Sequence, residues 1–201
     1  FGNFWREEGV TGQKLDLYPR LILPLKWANY VEFTPEVGIR ETVYHSRNGS
    51  EETHSRELWD FTATLASNFY RIFETGWTGV PKFKHLIRPE ITYAYIPDVD
   101  QQYVPNFDTP VAKANAFTYA LTQRLIGKVI EGAEKSRYHE YAYLKLSQTY
   151  DLNEANRQLT SPGDVRRPFG PITGELKIRS LKYLIADNIT TFDTNRGRFL
   201  T

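Results

Sequence analysis

Between residues 14 and 27, Leu15, Leu17, Leu21, Leu23 and Leu25 alternate with Lys14, Asp16, Tyr18, Arg20 and Lys26. Successive side chains of a β-strand point to opposite faces, so this pattern predicts a strand with one leucine face and one charged face. The run is about fourteen residues long, more than twice the usual five or six of a soluble strand. At roughly 3.3 Å per residue and a tilt near 45°, it rises about 33 Å, enough to cross the hydrocarbon core of a bilayer. The expectation is a transmembrane β-strand.

The pattern recurs along the chain. Val31, Phe33, Val37, Ile39 and Val43 alternate with Glu32, Thr34, Glu36, Arg40 and Thr42, and Trp59, Phe61, Ala63, Leu65 and Phe69 with Asp60, Thr62, Thr64 and Asn68. Ile87, Ile91, Tyr93 and Tyr95 oppose Arg88, Glu90 and Thr92; Phe117, Tyr119, Leu121 and Leu125 oppose Thr118, Thr122 and Arg124. Ala142, Leu144 and Leu146 oppose Lys145, Ser147 and Thr149, and Ile172, Leu176 and Ile178 oppose Thr173, Glu175, Lys177 and Arg179. Residues 183–192 are ambiguous, because Leu184, Ile185 and Ile189 do not share one parity. With a short strand at residues 1–6, about nine strands are expected, antiparallel and up-and-down.

Counted from the N-terminus, the odd connections fall at 7–12, 46–55, 97–115 and 151–171, and they include the two longest. The even ones fall at 28–29, 74–82, 127–136 and 181–182. Outer-membrane barrels have short periplasmic turns and long external loops, so this parity places Asn48, Asp100 and Asp164 outside the cell. A soluble antiparallel sheet with one wet face produces the same alternation, and strand length and loop asymmetry are what argue against it. Pro19, Pro24, Pro35 and Pro89 each remove a ladder donor, which implies bulges or weak pairing.

Composition narrows the reading. The 201 residues are 24% charged and 14% aromatic, with a net charge of +1, and nothing approaches the apolar run of a membrane helix. The aromatic content suits a barrel with interfacial girdles. A basic stripe is missing, so a nucleic-acid partner is not expected. With no cysteine there is no disulfide or thiol chemistry, and with no methionine the chain, which starts at Phe1, reads as an interior piece of a longer processed polypeptide.

Candidate chemistry is sparse. His45, His54, His85 and His139 show no ligand spacing, so no metal is expected. Asp98 and Asp100 open like a calcium loop, but Tyr103 and Thr109 stand where glycine and glutamate belong. Ser67 and Ser147 lack an identifiable histidine partner, and no phosphate-cradling glycine loop occurs; neither catalysis nor a cofactor is expected. The sequons at Asn48 and Asn188 read as polar turns. Arg166 and Arg167 beside Asp164 fit either a solvated turn or a contact with lipid phosphates. The mixed charged set Lys14, Asp16, Arg20, Glu32, Glu36, Arg40, Arg88, Glu90, Lys145, Glu175, Lys177 and Arg179 is assigned to the lumen face, where water, a plug or a polar headgroup would all be accommodated.

Residues 85–109 read HLIRPEITYAYIPDVDQQYVPNFDT. This resembles the barrel domain of the LptD (OstA) lipopolysaccharide-assembly family, whose pattern runs L-E-P-R, an aromatic strand, Y-V-P-x-x-D-Q, then F-D-T or Y-D-S. Arg88, Pro89 and Glu90 take the first part with acid and base exchanged; Tyr95, Ile96, Pro97, Asp100 and Gln101 take the second, and Asn106, Phe107, Asp108 and Thr109 the third. Residues 144–150 (LKLSQTY) and 166–170 (RRPFG) are also similar to the family. The resemblance implies that residues 1–201 are part of a single large outer-membrane β-barrel domain of a Gram-negative bacterium, without the periplasmic jellyroll or the barrel termini. It implies lipopolysaccharide as cargo, an LptE-like lipoprotein plug, periplasmic Lpt bridge components and surrounding outer-membrane lipids as partners, and no enzymatic activity. Rival readings are another large barrel such as a porin or plugged transporter, a barrel hydrolase, or a soluble β-sheet binding domain. On the assigned faces, Leu23→Arg is expected to cost about 2 to 4 kcal/mol near the midplane and Arg20→Leu far less.

Overall fold

A computed structural model describes residues 2–4, 11–28, 30–48, 50–132, 135–180 and 184–200. The expected connections at 7–12, 28–29 and 127–136, the expected strand at 1–6 and the Asn48 sequon lie partly outside them, and the expected connection at 181–182 lies wholly outside. All described strand pairings are antiparallel, and the strand order follows the chain. The strands are β1 (Gly2–Phe4), β2 (Thr11–Leu17), β3 (Arg20–Ile22), β4 (Leu25–Trp27), β5 (Val31–Asn48), β6 (Ser50–Ser67), β7 (Phe69–Glu74), β8 (Lys82–Ile96), β9 (Ala114–Glu131), β10 (Lys135–Asp151), β11 (Ile172–Arg179), β12 (Ile185–Asp193) and β13 (Arg198–Leu200), with one short helix, α1 (Leu152–Asn156). The fold is all-β and up-and-down, and its strand order is an open path from β1 to β13.

The fourteen-residue strand expected at 14–27 is three pieces. β2, β3 and β4 all pair with β5, and the breaks fall at Pro19 and Pro24. A proline has no N–H to give, so pairing there survives only through acceptors: Ile39 N–H donates to Pro19 O at 3.1 Å. Pro35 and Pro89, by contrast, sit inside the unbroken strands β5 and β8. With β2 to β4 counted as one strand and β7 as the continuation of β6, ten positions lie on the path rather than nine. The extra one is β13, and the ambiguous segment near residue 185 is the strand β12.

The connection expected at 46–55 is not a loop. β5 and β6 are each 18 residues long and run on to Asn48 and from Ser50. β9 and β10 likewise extend to Glu131 and from Lys135, so the long connections are 97–113 and 152–171. A strand that outruns an apolar band keeps its ladder in water, where polar side chains carry no penalty. β5 and β6 therefore continue into the polar stretch around residue 50, whereas β9 carries Val129 and Ile130 almost to its end.

The chain divides into two compact units. One comprises Phe1–Pro24, Thr34–Ala63 and Ala94–Asn115; the other comprises Leu25–Phe33, Thr64–Tyr93 and Ala116–Thr201. In the first unit the register sets Lys14 against Tyr44, Asp16 against Thr42 and Arg20 against Gly38 on one face, and Leu15 against Val43 and Leu21 against Val37 on the other. The burial of these faces is the reverse of a soluble protein's. Leu21 is 74% exposed and Ile39 62%, whereas Thr42 is 0%, Tyr44 1%, Arg56 4% and Asp60 6% exposed. The buried face of this unit carries Thr42, Tyr44, Arg56 and Asp60 with one leucine, Leu58, among them, and its exposed face carries Leu21, Ile39 and Trp59.

Candidate functional site: an ionic face and the connection stapled to it

Buried charges must be paired, and the first unit pairs all of the ones on this face. Arg40 grips Asp16 with two bonds, Nε to Oδ1 at 2.8 Å and Nη2 to Oδ2 at 2.5 Å, and Thr42 Oγ1 donates to the same Oδ1 at 3.0 Å. Arg20 Nε lies 2.5 Å from Glu36 Oε1 and its Nη2 3.3 Å from Asp60 Oδ1. Tyr18 Oη donates to Asp60 Oδ2 at 2.5 Å, and the Arg20 and Arg40 guanidinium groups both lie over the Tyr18 ring. Gly38 opposes Arg20, and any methyl there would overlap the Asp60 carboxylate and the Tyr18 ring. The expectation that Arg20→Leu is cheap is therefore revised: it strips buried Asp60 of its guanidinium.

Connection 97–113 lies on this face. Asp108 Oδ2 accepts from Tyr44 Oη at 2.5 Å, pairs with Lys14 Nζ at 2.8 Å, and lies 3.5 Å from Arg56 Nη2, which donates to Thr42 Oγ1 at 3.4 Å. Arg56 Nη1 also donates to Gln101 Oε1 and to Thr109 O, each at 3.3 Å. Gln101 closes the connection on itself, its Nε2 donating to Val111 O and its Oε1 accepting from Val111 N–H, both at 2.8 Å. The Phe107 ring packs 6.3 Å from that of Tyr44, above Gly12, where a Cβ would come within 2.5 Å of His45 O and 3.0 Å of the ring. Burial alone would raise the Asp108 carboxyl, but hydrogen bonds from Lys14 and Tyr44 hold it below its ordinary value. Asp108 is ionised at neutral pH.

The remaining residues expected at the site divide between the units. The Tyr95 ring lies tilted against that of Trp59 at 5.2 Å, Pro97 follows the end of β8, and Asp100 Oδ1 accepts from Gln102 N–H at 3.0 Å. In the second unit, Arg88 bonds Glu32 at 2.6 Å, lies 3.4 Å from Glu90 and donates to Asn68 at 3.2 Å. Lys145 sits opposite Glu175 and Tyr143 opposite Lys177 in register. Lys177 pairs with Glu175 at 2.6 Å, and Arg179 with Asp187 through two bonds of 2.6 and 2.8 Å. Pro89 borders two shallow apolar depressions, one lined by Val31, Leu65 and Ile91 and the other by Tyr119, Leu121, Leu146 and Ile172. The charged residues expected at the lumen are thus arranged, apart from Lys145, as local ion pairs within each unit.

Other candidates are engaged elsewhere. His45 meets Thr53, His85 meets Gln123, His139 meets the Arg179 carbonyl, and His54 stacks on Tyr103. Ser67 donates to the Tyr30 carbonyl. Asp164 is held not by its neighbours Arg166 and Arg167 but by Arg157, at 2.7 and 2.9 Å, and Arg166 donates to the Arg157 carbonyl at 2.8 Å. Tyr18 and Asp60 fall on the polar faces that the alternation predicts but outside the charged set assigned to the lumen, and Tyr44, Arg56 and Arg157 carry no signal of their own in that pattern. Arg56 shares the parity of Asp60, Thr62 and Thr64 on β6, so extending that strand's alternation backwards reaches it.

Comparison with known proteins matches residues 1–201 to the family model described as LptD: LPS transport system D. A protein named LPS-assembly protein LptD from Nitrosospira multiformis is 28% identical over 181 residues, covering 79% of this chain and 18% of that protein. Proteins of the same name from Pseudomonas syringae pv. syringae and Nitrosococcus oceani are 29% and 31% identical over 121 and 101 residues, covering 55% and 49% of the chain. The chain spans less than a fifth of the length of these relatives, 18%, 12% and 13% respectively.

Proposed function

The chain belongs to the LptD family, the lipopolysaccharide transport system D proteins, and from that premise we propose that it forms part of the wall of an outer-membrane β-barrel that delivers lipopolysaccharide to the outer leaflet. The observation that carries this reading is the inverted burial of the first unit, with Leu21 and Ile39 outside and Thr42, Arg56 and Asp60 inside. Bare leucine in water is costly, at roughly 25 cal/mol per Å², whereas against acyl chains it costs nothing. An ionic inner face offers the charged, hydrated head of lipopolysaccharide a path that lipid cannot.

In this reading residues 1–201 are one stretch of a single multi-pass barrel domain, with connections 97–113 and 152–171 on the external side. The ion pairs of Lys14, Asp16, Arg20, Glu36 and Arg40, and those of Glu32, Arg88, Glu90, Glu175, Lys177 and Arg179, line the lumen together with Lys145. An LptE-like lipoprotein fills part of that lumen, periplasmic Lpt bridge components supply the lipid from below, and outer-membrane lipids surround the wall. The segment acts as wall and loop, without catalysis and without a cofactor.

Photo-crosslinking in living cells tests the proposal. A photoreactive amino acid at Glu36 or Arg40 is expected to capture lipopolysaccharide, and one at Leu21 or Ile39 to capture membrane phospholipid. Capture of soluble periplasmic protein at Leu21 and Ile39, with no lipid at any of the four positions, would contradict it.

A further inference from the structure

Within the first unit, eight ionic side chains share one face in two clusters, Lys14, Asp16, Arg40, Arg56 and Asp108 in one and Arg20, Glu36 and Asp60 in the other, with the Arg20 and Arg40 guanidinium groups both over the Tyr18 ring. Lys14, Arg20, Arg40 and Arg56 supply four positive charges, and Asp16, Glu36, Asp60 and Asp108 four negative ones. Seven of the eight stand on β2, β3, β5 and β6. The eighth, Asp108, comes from connection 97–113. Lifting that connection leaves the strands with one unbalanced positive charge, located on Lys14 and Arg56.

We propose that Asp108 is an internal stand-in for a phosphate group, and that Lys14, Tyr44 and Arg56 form an anion cradle which the connection occupies until a phosphate displaces it. Three features support the assignment. The ammonium, phenol and guanidinium converge on Asp108 Oδ2 at 2.8, 2.5 and 3.5 Å, and Lys and Arg are the side chains that hold phosphate oxygens by charge-assisted bonds. Arg56 has a buried Nε with no acceptor, so even with Asp108 in place the guanidinium has a donor left unused. The ties of the connection to the strands gather around this one point: beyond Asp108, they run through Arg56 itself, the ring contact of Phe107 with Tyr44 and the stacking of Tyr103 on His54.

A phosphate brings more charge than a carboxylate and further oxygens for that spare donor, so it can compete with a tethered carboxylate. The inference deepens the transport reading, since the head of a phosphorylated glycolipid would release the connection as it arrives. It rests on that reading only for the source of the phosphate. Inorganic phosphate offers the same chemistry without the lipid.

The experiment uses the full-length protein in detergent, with spin labels on Gln102→Cys and Glu57→Cys to report the distance from the connection to β6. Three probes are added: a phosphorylated lipid A, its dephosphorylated counterpart, and inorganic phosphate. Glycolipid binding is measured in parallel. Lipid A is expected to widen the distance by several ångströms, and the dephosphorylated form to leave it unchanged. Asp108→Asn is expected to widen it without ligand and to tighten phosphate binding at least several-fold, because the competitor is gone. Lys14→Gln, which leaves Arg56 in place should Arg56→Gln fail to fold, is expected to weaken it by a similar factor. Widening by inorganic phosphate alone, with no glycolipid binding, would keep the cradle and remove the transport reading as its source. Lipid A bound with the distance unchanged, equal widening by both lipids, or weaker phosphate binding by Asp108→Asn would each overturn the cradle.

Discussion

Connections 97–113 and 152–171 are both long and both charged, and they settle their charges in opposite ways. The first spends its key groups on the strands: Asp108 on Lys14, Tyr44 and Arg56, and Gln101 and the Thr109 carbonyl on Arg56. The second settles them internally. Asp151 caps α1 by accepting from Glu154 N–H at 3.1 Å, and Arg157 bridges Glu154 and Asp164. Its ties to the strands are at its root, where Asp151 N–H donates to Pro168 O and Gly170 N–H to Thr149 O, each at 2.8 Å. A connection that is stapled to a buried ionic face is coupled to whatever that face binds; one that is folded on itself is not. The difference teaches that length and polarity alone do not distinguish a lid from a surface feature.

The sharpest way to break the contrast is to remove the two arginines. Arg56→Met leaves Asp108 with Lys14 and Tyr44 and takes a donor from Gln101 and the Thr109 carbonyl, and the loss of one partner from a buried ionic set should cost about 3 to 5 kcal/mol. Urea unfolding of the full-length protein in micelles measures it. Arg157→Met, on an exposed site, should leave that midpoint unchanged and alter only how fast a protease cuts within 152–171.

Charge placed on the outer face should cost less than Arg56→Met. Leu21→Arg is expected to destabilise by about 2 to 4 kcal/mol if Leu21 lies near the bilayer midplane, read from folding into vesicles. Next comes Gly12→Ala, which pushes on the His45 carbonyl and the Phe107 ring; overpacking of this kind costs about 1 to 3 kcal/mol and should raise proteolysis within 97–113 but not within 152–171.

Acid gives the smallest effect and separates the two connections by order. Asp108 titrates below its ordinary value of 3.8 in the folded chain, so its contribution is fully present above that pH and is lost as the pH falls below it. Asp164 is held much further down by the two bonds from Arg157, so 152–171 should give way after 97–113. Proteolysis by an acid protease over descending pH checks the sequence of release.

Much of the strand layout was legible because period-two alternation is a local signal. Leu21 beside Arg20, or Leu144 beside Lys145, identifies two faces without any tertiary information. The breaks at Pro19 and Pro24 were legible too, as missing donors, although the leucine run overrode them. The polar stretch around residue 50 misled because β5 and β6 continue past their apolar residues. The staple was not legible, since Tyr44 and Asp108 are 64 residues apart and Arg56 and Thr109 53, and no local pattern encodes such pairs. The family motif pointed at Gln101, Phe107 and Asp108; the partners that give them a role, Arg56 and Tyr44, had no motif of their own.

The central claim is that the leucine face meets acyl chains and the ionic face does not. Spin labels placed singly at Leu15, Leu21, Ile39 and Glu36 in the full-length protein, reconstituted in bilayers, measure it through relaxation by oxygen, which concentrates in lipid, and by a water-soluble nickel chelate. The account predicts oxygen-dominated relaxation at Leu15, Leu21 and Ile39 and nickel-dominated relaxation at Glu36. Nickel dominance at all four would mean that both faces are wet, and the membrane wall would have to be abandoned.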